Sequence, residues 1–132
     1  NLRWEFRFTE VAAALEPLFV QALADESITV WIASHDETAI MMLNFLTYQR
    51  VDVPKTLSVI SFDNFPAAAR RHLTSYDFNI KAVINAALTF LVHTGEFADF
   101  RRRGVVELPG TLVERESMGA PNLLVRKTET EL

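Results

Sequence analysis

Two apolar segments of this chain end in polar, hydrogen-bonding residues, and a helix-like segment separates them. Residues 28–34 lead into His35 and Asp36, and residues 57–62 lead into Asp63 and Asn64. Parallel strands need a crossover connection, usually a helix, and open α/β sheets bind ligands at the carboxyl ends of their strands. The pattern therefore predicts an α/β fold of βαβ units on a parallel sheet, with a ligand site at that edge.

The composition describes an ordinary packed domain and narrows the function classes. The 132 residues are 49% hydrophobic and hold 4 Gly and 5 Pro, which suits one domain or a piece of one. A net charge of −4 gives the chain no electrostatic reason to bind nucleic acid by itself. The sequence has no cysteine and no apolar run of membrane-spanning length, and it begins at Asn1. We expect a fragment of a longer polypeptide, without disulfides and away from membranes.

Helical spacing of apolar residues predicts the outer elements. Residues 9–25 form an amphipathic helix in which Pro17 is expected to separate a short lead-in from the main helix. Asn79 is expected to cap a later helix that ends at Gly95. The apolar face of that helix consists of Ile80, Val83, Ile84, Ala87, Leu88 and Leu91.

The remaining segments are short. A helical excursion is expected over residues 65–72, a strand over 73–78, and a last strand or hairpin over 105–115, with a polar loop at 96–103 between them. From Ser117 onward the sequence is polar and aperiodic, which predicts a mobile tail over residues 120–132.

The central segment has an unusual pattern. Residues 28–34 are apolar without alternation, as in a parallel strand covered on both faces. Asp36 occupies the expected N-cap of a helix over residues 37–49, and apolar side chains cover most of that helix's circumference. Such a helix needs a cover on its outer side, supplied either within the chain or by a second subunit.

The polar residues at the two strand ends suit ligand recognition. Asp63 and Asn64 can accept from and donate to vicinal hydroxyls, as in sugar binding, although Asp63 can also cap the helix beginning near Phe65. His35 is expected to face the cleft while Asp36 caps its helix. His72 and His93 lack partners at metal-ligand spacing, and the arginines at 101–103 read as a solvated loop. Since no catalytic constellation and no phosphate loop is present, we expect no catalytic residue, no metal and no cofactor.

Four segments, in order over residues 27–119, resemble the LacI/GalR repressor family. Residues 28–39 (ITVWIASHDETA) resemble its "T-A-hydrophobic-x-A-N-D-x-x-A" pattern, and residues 53–64 (VPKTLSVISFDN) resemble "V-P-x-D-h-S-V-h-G-F-D-D/N". Residues 73–76 (LTSY) are similar to "L-T-T-V", and residues 112–119 (LVERESMG) are similar to "L-V-x-R-x-S-T-G".

The resemblance implies the fold and the partners. Residues 1–119 would be the C-terminal portion of a periplasmic-binding-protein-like effector and dimerisation domain: most of the second subdomain plus the segment that crosses back. Such a domain belongs to a cytoplasmic, homodimeric transcription regulator that binds a small effector, commonly a sugar. DNA would be bound only by a domain absent from this chain.

The resemblance also implies ligand contacts at His35, Asp63, Phe78 and Ile80. Asp63 matches the family pattern. His35 replaces the usual asparagine, Ser61 replaces glycine, and Phe78 stands where glutamine is common. An aromatic side chain in place of an amide favours stacking on a sugar or base face over hydrogen bonding.

Two surfaces are implied in the same way. The family's dimer interface falls on Ile40, Met41, Leu43, Phe45 and Phe65. The segment at residues 76–94 crosses to the other subdomain in this family, so its apolar face would be bare here. We expect the isolated chain to bury that face by self-association or by folding it back onto its own sheet.

Other functions fit the sequence less well. A solute-binding protein of a sugar transporter shares the expected fold. A receiver-type phosphorylation switch is suggested by Asp63 followed by Phe65 and Pro66, but the acidic pair and the later lysine of that class are missing. An enzyme would need a nucleophile, an acid/base pair or a phosphate loop, and none is evident.

Overall fold

A computed structural model describes residues 2–92 and 105–120, with side chains from residue 8 onward. His93, Gly95, the loop at 96–103 and the tail from residue 121 lie outside the described residues. The elements, in chain order, are α1 (Leu2–Ala24), β1 (Val30–Ile32), α2 (Asp36–Tyr48), β2 (Ser58–Phe62), α3 (Pro66–Arg70), β3 (Thr74–Asp77), α4 (Ile80–Val92) and β4 (Thr111–Val113).

The strands form a four-stranded sheet in the order β1-β2-β3-β4. β1 pairs with β2 and β2 with β3 in parallel, while β4 pairs antiparallel with β3. Since α2 connects β1 to β2, the first two strands form the expected βαβ unit. The predicted α/β fold on a parallel sheet is confirmed.

Three aromatic rings join the first three elements. Phe19 of α1, Trp31 of β1 and Phe45 of α2 contact one another, with ring centroids 5.5–6.2 Å apart. Beneath them Leu46 and Val59 are fully buried. Each such aliphatic side chain contributes about 1.5–3 kcal/mol on burial, so this layer between helices and sheet is the core.

The expectation that the first strand is covered on both faces is wrong for the described residues. Trp31 points into the core, but its neighbours Val30 and Ile32 are exposed, Ile32 to 61%. Successive side chains of a strand point to opposite faces, and both α1 and α2 pack on the Trp31 face. A continuous apolar run therefore indicates apolar side chains on both faces but does not say what covers each face.

Pro17 does not divide the first helix as predicted. α1 runs without interruption over 23 residues with Pro17 inside it. A proline inside a helix removes one backbone hydrogen bond and crowds the preceding turn. Apolar residues on both sides of Pro17 pack on the core, and this packing outweighs the local cost; they are Phe8, Ala12, Leu15, Phe19, Ala22 and Leu23.

The apolar circumference of α2 is explained within the chain. One side of the helix packs on β2 and the other side meets α1 through Phe45 and Phe19. Its exposed positions are Asn44, Thr47 and Tyr48. The sequence left open whether this chain or a second subunit covers α2, and α1 of this chain provides such cover.

α4 has no cover among the described residues. Asn79 caps it as predicted, accepting a hydrogen bond from the Ala82 backbone N–H at 3.3 Å. None of its residues is buried, and Leu91 is 72% exposed. The alternative that this helix folds back onto its own sheet is therefore wrong, because the apolar face remains open.

The segment after β4 is tied to the sheet. Ser117 is buried: its Oγ donates to the Val59 carbonyl at 2.6 Å and accepts from the Thr74 N–H at 2.8 Å. The Val59 N–H donates to the Ser117 carbonyl at 2.8 Å. Ser117 therefore joins β2 and β3 where both begin, although the polar sequence from this residue onward suggested a tail.

Candidate functional site

Neighbouring parallel strands bring the predicted ligand residues to one edge of the sheet. His35 follows β1, Asp63 follows β2 and Phe78 follows β3, while Ile80 opens α4. Because β1, β2 and β3 are adjacent and parallel, their carboxyl ends lie along the same edge. All these side chains are at least partly exposed.

Asp63 lies in a turn of unusual backbone geometry. Its φ is 98° and that of Asn64 is 50°, a region that L residues rarely adopt. Such conformations cost about 1–3 kcal/mol each and persist only where surrounding contacts hold them. The backbone amides of the turn are all engaged: Asp63 N–H donates to the Tyr76 carbonyl at 2.9 Å, Asn64 N–H to Ser75 Oγ at 3.0 Å, and Phe65 N–H to Asp36 Oδ2 at 2.7 Å.

The Asp63 carboxylate itself makes no hydrogen bond or ion pair within residues 2–92 and 105–120. It does not cap α3, the alternative that the sequence allowed. Phe65 occupies that N-cap, and no side chain caps the helix. Asp63 is half-buried at the strand end, and because no described residue bonds its carboxylate, both oxygens are available as acceptors toward this part of the chain.

Asp36 does not cap its helix, so this prediction is wrong. The N-cap of α2 is His35, and Asp36 is the first helical residue, completely buried. Its carboxylate turns away from the helix and accepts hydrogen bonds from Ser61 Oγ at 2.5 Å and Ser75 Oγ at 2.6 Å, besides Phe65 N–H. Asp36 thus connects α2 to both central strands and to the Asp63 turn.

His35 is exposed and held by two hydroxyls. Ser34 Oγ lies 2.7 Å from its Nδ1, and Thr38 Oγ1 lies 3.2 Å from its Nε2. Hydroxyls can donate or accept, so the ring can satisfy both contacts in either neutral tautomer. These contacts fix the orientation of the imidazole at the β1 end of the edge. A ligand could pack on the face of the ring, or a ligand hydroxyl could replace Ser34 or Thr38 as its hydrogen-bond partner.

An aromatic cluster forms the β3 end of the edge. Phe78 stacks on Phe62 at 5.8 Å between centroids and meets Tyr76 edge-on at 5.1 Å. Phe78 is 43% exposed and Ile80 next to it is also exposed. Part of a supported aromatic ring is thus available to a ligand, which favours stacking against an apolar ligand face.

A polar network of Asn64, Asp77 and Arg115 lies at this edge, and the sequence did not indicate it. Asn64 Nδ2 donates to Asp77 Oδ2 at 3.1 Å, and Asn64 Oδ1 accepts from Arg115 Nη2 at 2.6 Å. The amide of Asn64 is therefore used inside the fold rather than presented to a ligand. The only signal in the sequence is the arginine in the closing segment 112–119, and nothing local pairs it with residue 64.

The pKa of Asp77, at this edge, is lower than that of an ordinary aspartate. The Asn79 backbone N–H, which donates to its Oδ1 at 2.7 Å, is the main cause that lowers the pKa of Asp77 below its usual 3.8. The Asn64 side chain lowers this pKa further, while partial desolvation opposes both. The ionised form of Asp77 thus stabilises the start of α4.

The five predicted dimer residues differ in exposure. Met41 and Leu43 are buried in this chain's own core, whereas Ile40 and Phe45 are half-buried. Phe65 is exposed at the start of α3. Of the five, Ile40, Phe45 and Phe65 therefore keep surface that a second subunit could contact.

Three further features of the described residues complete the description. They hold no group of three or more His, Asp or Glu side chains placed to bind a metal ion. No helix described here is long and apolar enough to cross a membrane. A cavity of about 500 Å³ lies at the amino ends of β2 and β3, with Arg50, Arg71 and His72 in its lining.

The sequence profile of the periplasmic binding protein-like domain matches residues 5–118. This chain belongs to that family. No curated protein sequence matches it. Among solved structures, a LacI-family transcriptional regulatory protein from Corynebacterium glutamicum is 30% identical, with a TM-score of 0.56.

Two Escherichia coli proteins are similar in the same way. The transcriptional repressor ascG is 26% identical with a TM-score of 0.61. A sugar-binding transcriptional regulator of the LacI family, solved in complex with phosphate, is 28% identical with a TM-score of 0.55. These matches confirm the resemblance to LacI-family regulators.

The similarity covers part of each relative. The matches include 85%, 83% and 70% of this chain but only 41%, 40% and 33% of the regulator from C. glutamicum, ascG and the sugar-binding regulator. The periplasmic binding protein-like domain of this chain thus corresponds to less than half of a LacI-family regulator.

Proposed function

We propose that this chain is the effector-sensing and dimerisation portion of a cytoplasmic transcription regulator. It binds a small ligand, a sugar or a related polyhydroxy compound, at the carboxyl edge of its sheet. DNA is bound by a domain outside this chain, and the chain carries out no catalysis. Ligand binding acts by stabilising one arrangement of the two halves of the effector domain over another.

The observation that carries this proposal is the unused carboxylate of Asp63. The fold holds its turn at positive φ with every backbone amide engaged, yet the side chain makes no bond within the described part of the chain. A strained turn costs free energy, and no bond from the Asp63 carboxylate to a described residue offsets that cost, so ligand binding explains the turn better than stability does.

The neighbouring side chains match the chemistry of a sugar. The Asp63 carboxylate can accept from two hydroxyls, and the exposed ring of Phe78 can stack on the apolar face of a pyranose. His35 and Ile80 complete the edge with one polar and one apolar contact. The printed name of one relative, a sugar-binding regulator, is consistent with this ligand class.

For dimerisation we propose a contact centred on Phe65, Ile40 and Phe45. These are the predicted interface residues that keep exposed surface in the chain. Met41 and Leu43 would support this surface from beneath, because both are buried within the chain.

A thermal-shift panel of sugars, sugar phosphates and nucleosides tests the ligand proposal. It is run on a longer chain that continues upstream, as in the relatives, and on its Asp63→Asn variant. Asp52→Asn is the matched control, since Asp52 is an exposed acid paired with Lys55 ahead of β2. A hit lost in Asp63→Asn and kept in Asp52→Asn supports the proposal; a hit that both variants keep contradicts the site.

A further inference from the structure

The buried carboxylate of Asp36 is satisfied entirely from outside its own helix. It is 0% exposed, and its three hydrogen-bond donors belong to β2, to β3 and to the residue before α3. No lysine, arginine or histidine pairs with it among the described residues. A buried carboxylate without a cation is costly unless hydrogen bonds satisfy it, so these three donors are essential to its presence.

Two of these contacts lead into the strained turn that carries Asp63. Phe65 N–H, on the far side of the turn, donates directly to Asp36 Oδ2. Asn64 N–H donates to Ser75 Oγ, and the same hydroxyl donates its proton to Asp36 Oδ1. The amides of Asn64 and Phe65 are therefore linked, one through Ser75 and one directly, to a single carboxylate.

We infer that Asp36 is a positioning residue that holds the 63–65 turn in its positive-φ conformation and so aims the Asp63 carboxylate at the ligand. The inference rests on the proposed function for the role of Asp63. Its structural part, that Asp36 fixes the turn, concerns this chain alone and can be measured without a ligand.

The chemistry of the donors explains why an acid is needed at this position. A backbone N–H can only donate, so the group opposite Phe65 must be an acceptor. The hydroxyls of Ser61 and Ser75 can rotate, and both donate here because the carboxylate offers only acceptors. Ser61 stands where the LacI/GalR pattern has glycine, so its hydroxyl gives Asp36 a bond that a glycine could not supply.

Amide hydrogen exchange by NMR on the 132-residue chain tests the inference. In Asp36→Ala, Phe65 N–H loses a charge-assisted hydrogen bond, so its exchange is expected to accelerate by at least about tenfold. Exchange at Asn64 is expected to accelerate as well, because Asp36 no longer holds the Ser75 hydroxyl that accepts from Asn64 N–H. The matched control is Leu46→Ala, which removes a fully buried side chain of α2 away from the turn. The inference is overturned if Asp36→Ala accelerates these two amides no more than Leu46→Ala does.

Two milder variants decide the matter if Asp36→Ala does not fold. Asp36→Asn keeps an oxygen that accepts from Phe65 N–H, and its NH2 group can donate to the hydroxyls of Ser61 and Ser75 once these rotate. The Phe65 amide is therefore expected to stay protected from exchange. Ser75→Ala removes the acceptor of Asn64 N–H alone, so exchange is expected to accelerate at Asn64 and not at Phe65. Unchanged exchange at Asn64 in Ser75→Ala overturns the inference.

The turn conformation gives a separate spectroscopic signature. A positive φ brings HN and Hα of the same residue close together, so strong intraresidue HN–Hα NOEs at Asp63 and Asn64 report the turn conformation. These NOEs are expected to weaken in Asp36→Ala and to stay unchanged in Leu46→Ala. Since no ligand is involved, failure of this test is distinguishable from failure of the ligand panel.

Discussion

Arg115 donates through Nη2 to the side-chain oxygen of Asn64 at 2.6 Å, across 51 positions of sequence. Its other terminal nitrogen, Nη1, donates to the Leu73 carbonyl at 2.6 Å. One guanidinium therefore ties the segment after β4 both to the start of β3 and to the turn that carries Asp63.

Replacing this guanidinium should destabilise the fold. Arg115→Met removes both bonds and leaves the half-buried Asn64 and Leu73 oxygens without their donor, at a cost of about 1.5–3 kcal/mol. The free energy of unfolding from urea titration measures this loss. The control Arg70→Met, at an exposed arginine of α3, should change it by less than about 0.5 kcal/mol. Equal effects of the two variants would contradict the assignment.

Ser117 should be important for stability despite its position near the end of the described chain. Ser117→Ala leaves the Thr74 N–H and the Val59 carbonyl without their side-chain partner in a buried site, at a cost of about 1–3 kcal/mol. Ser58→Ala should cost less, because its hydroxyl makes only the longer bonds to Gly119, at 3.2–3.3 Å. The midpoints of chemical unfolding rank the two variants, and the reverse order would refute the prediction.

The lowered pKa of Asp77 gives a pH dependence with a definite sign. Because folding lowers the pKa of Asp77 below 3.8, its contribution to stability is complete above 3.8 and is lost as the pH falls through the lowered value. The titration of the Asp77 carboxyl carbon, followed by NMR, should have a midpoint below 3.8. Asn64→Ala should raise that midpoint by removing one of its two causes. A wild-type midpoint at or above 3.8 would be inconsistent with the two hydrogen bonds.

The open face of α4 should make the 132-residue chain self-associate. Ile84, Leu88 and Leu91 are more than half exposed, and burying each is worth about 1.5–3 kcal/mol. Sedimentation velocity across protein concentrations should therefore show a dimer or larger species. Ile84→Glu combined with Leu88→Lys should reduce this association to at most the dimer proposed through Phe65, Ile40 and Phe45, whereas Lys81→Glu, a charge change in the first turn of the helix, should leave it unchanged. A wild-type chain that stays monomeric at high concentration would rule this out.

Much of the fold could be predicted from the sequence because the apolar pattern determines it locally. The parallel strands, the helix between β1 and β2, and the Asn79 cap follow from short-range features. Pro17 misled the prediction, since local helix preference cannot account for the packing of both halves of α1 on the core. The cover of each sheet face also depends on where the helices dock, which periodicity does not encode.

The candidate site was only partly predictable, for a related reason. Sequence order places His35, Asp63 and Phe78 at strand ends, and parallel topology brings those ends together. The role of Asp36 depends on the direction of its side chain, and in the first helical turn a carboxylate can face the helix amides or the sheet. Its partners Ser61 and Ser75 lie 25 and 39 positions away, so no local pattern indicates them.

Chemical-shift mapping of a ligand found in the panel tests most directly whether the carboxyl edge of the sheet is the effector site. On the longer, ligand-binding chain, the largest changes in amide shifts should fall at residues 34–36, 62–65 and 77–80. Changes confined to the opposite end of the sheet, around the cavity lined by Arg50, Arg71 and His72, would contradict the proposed site.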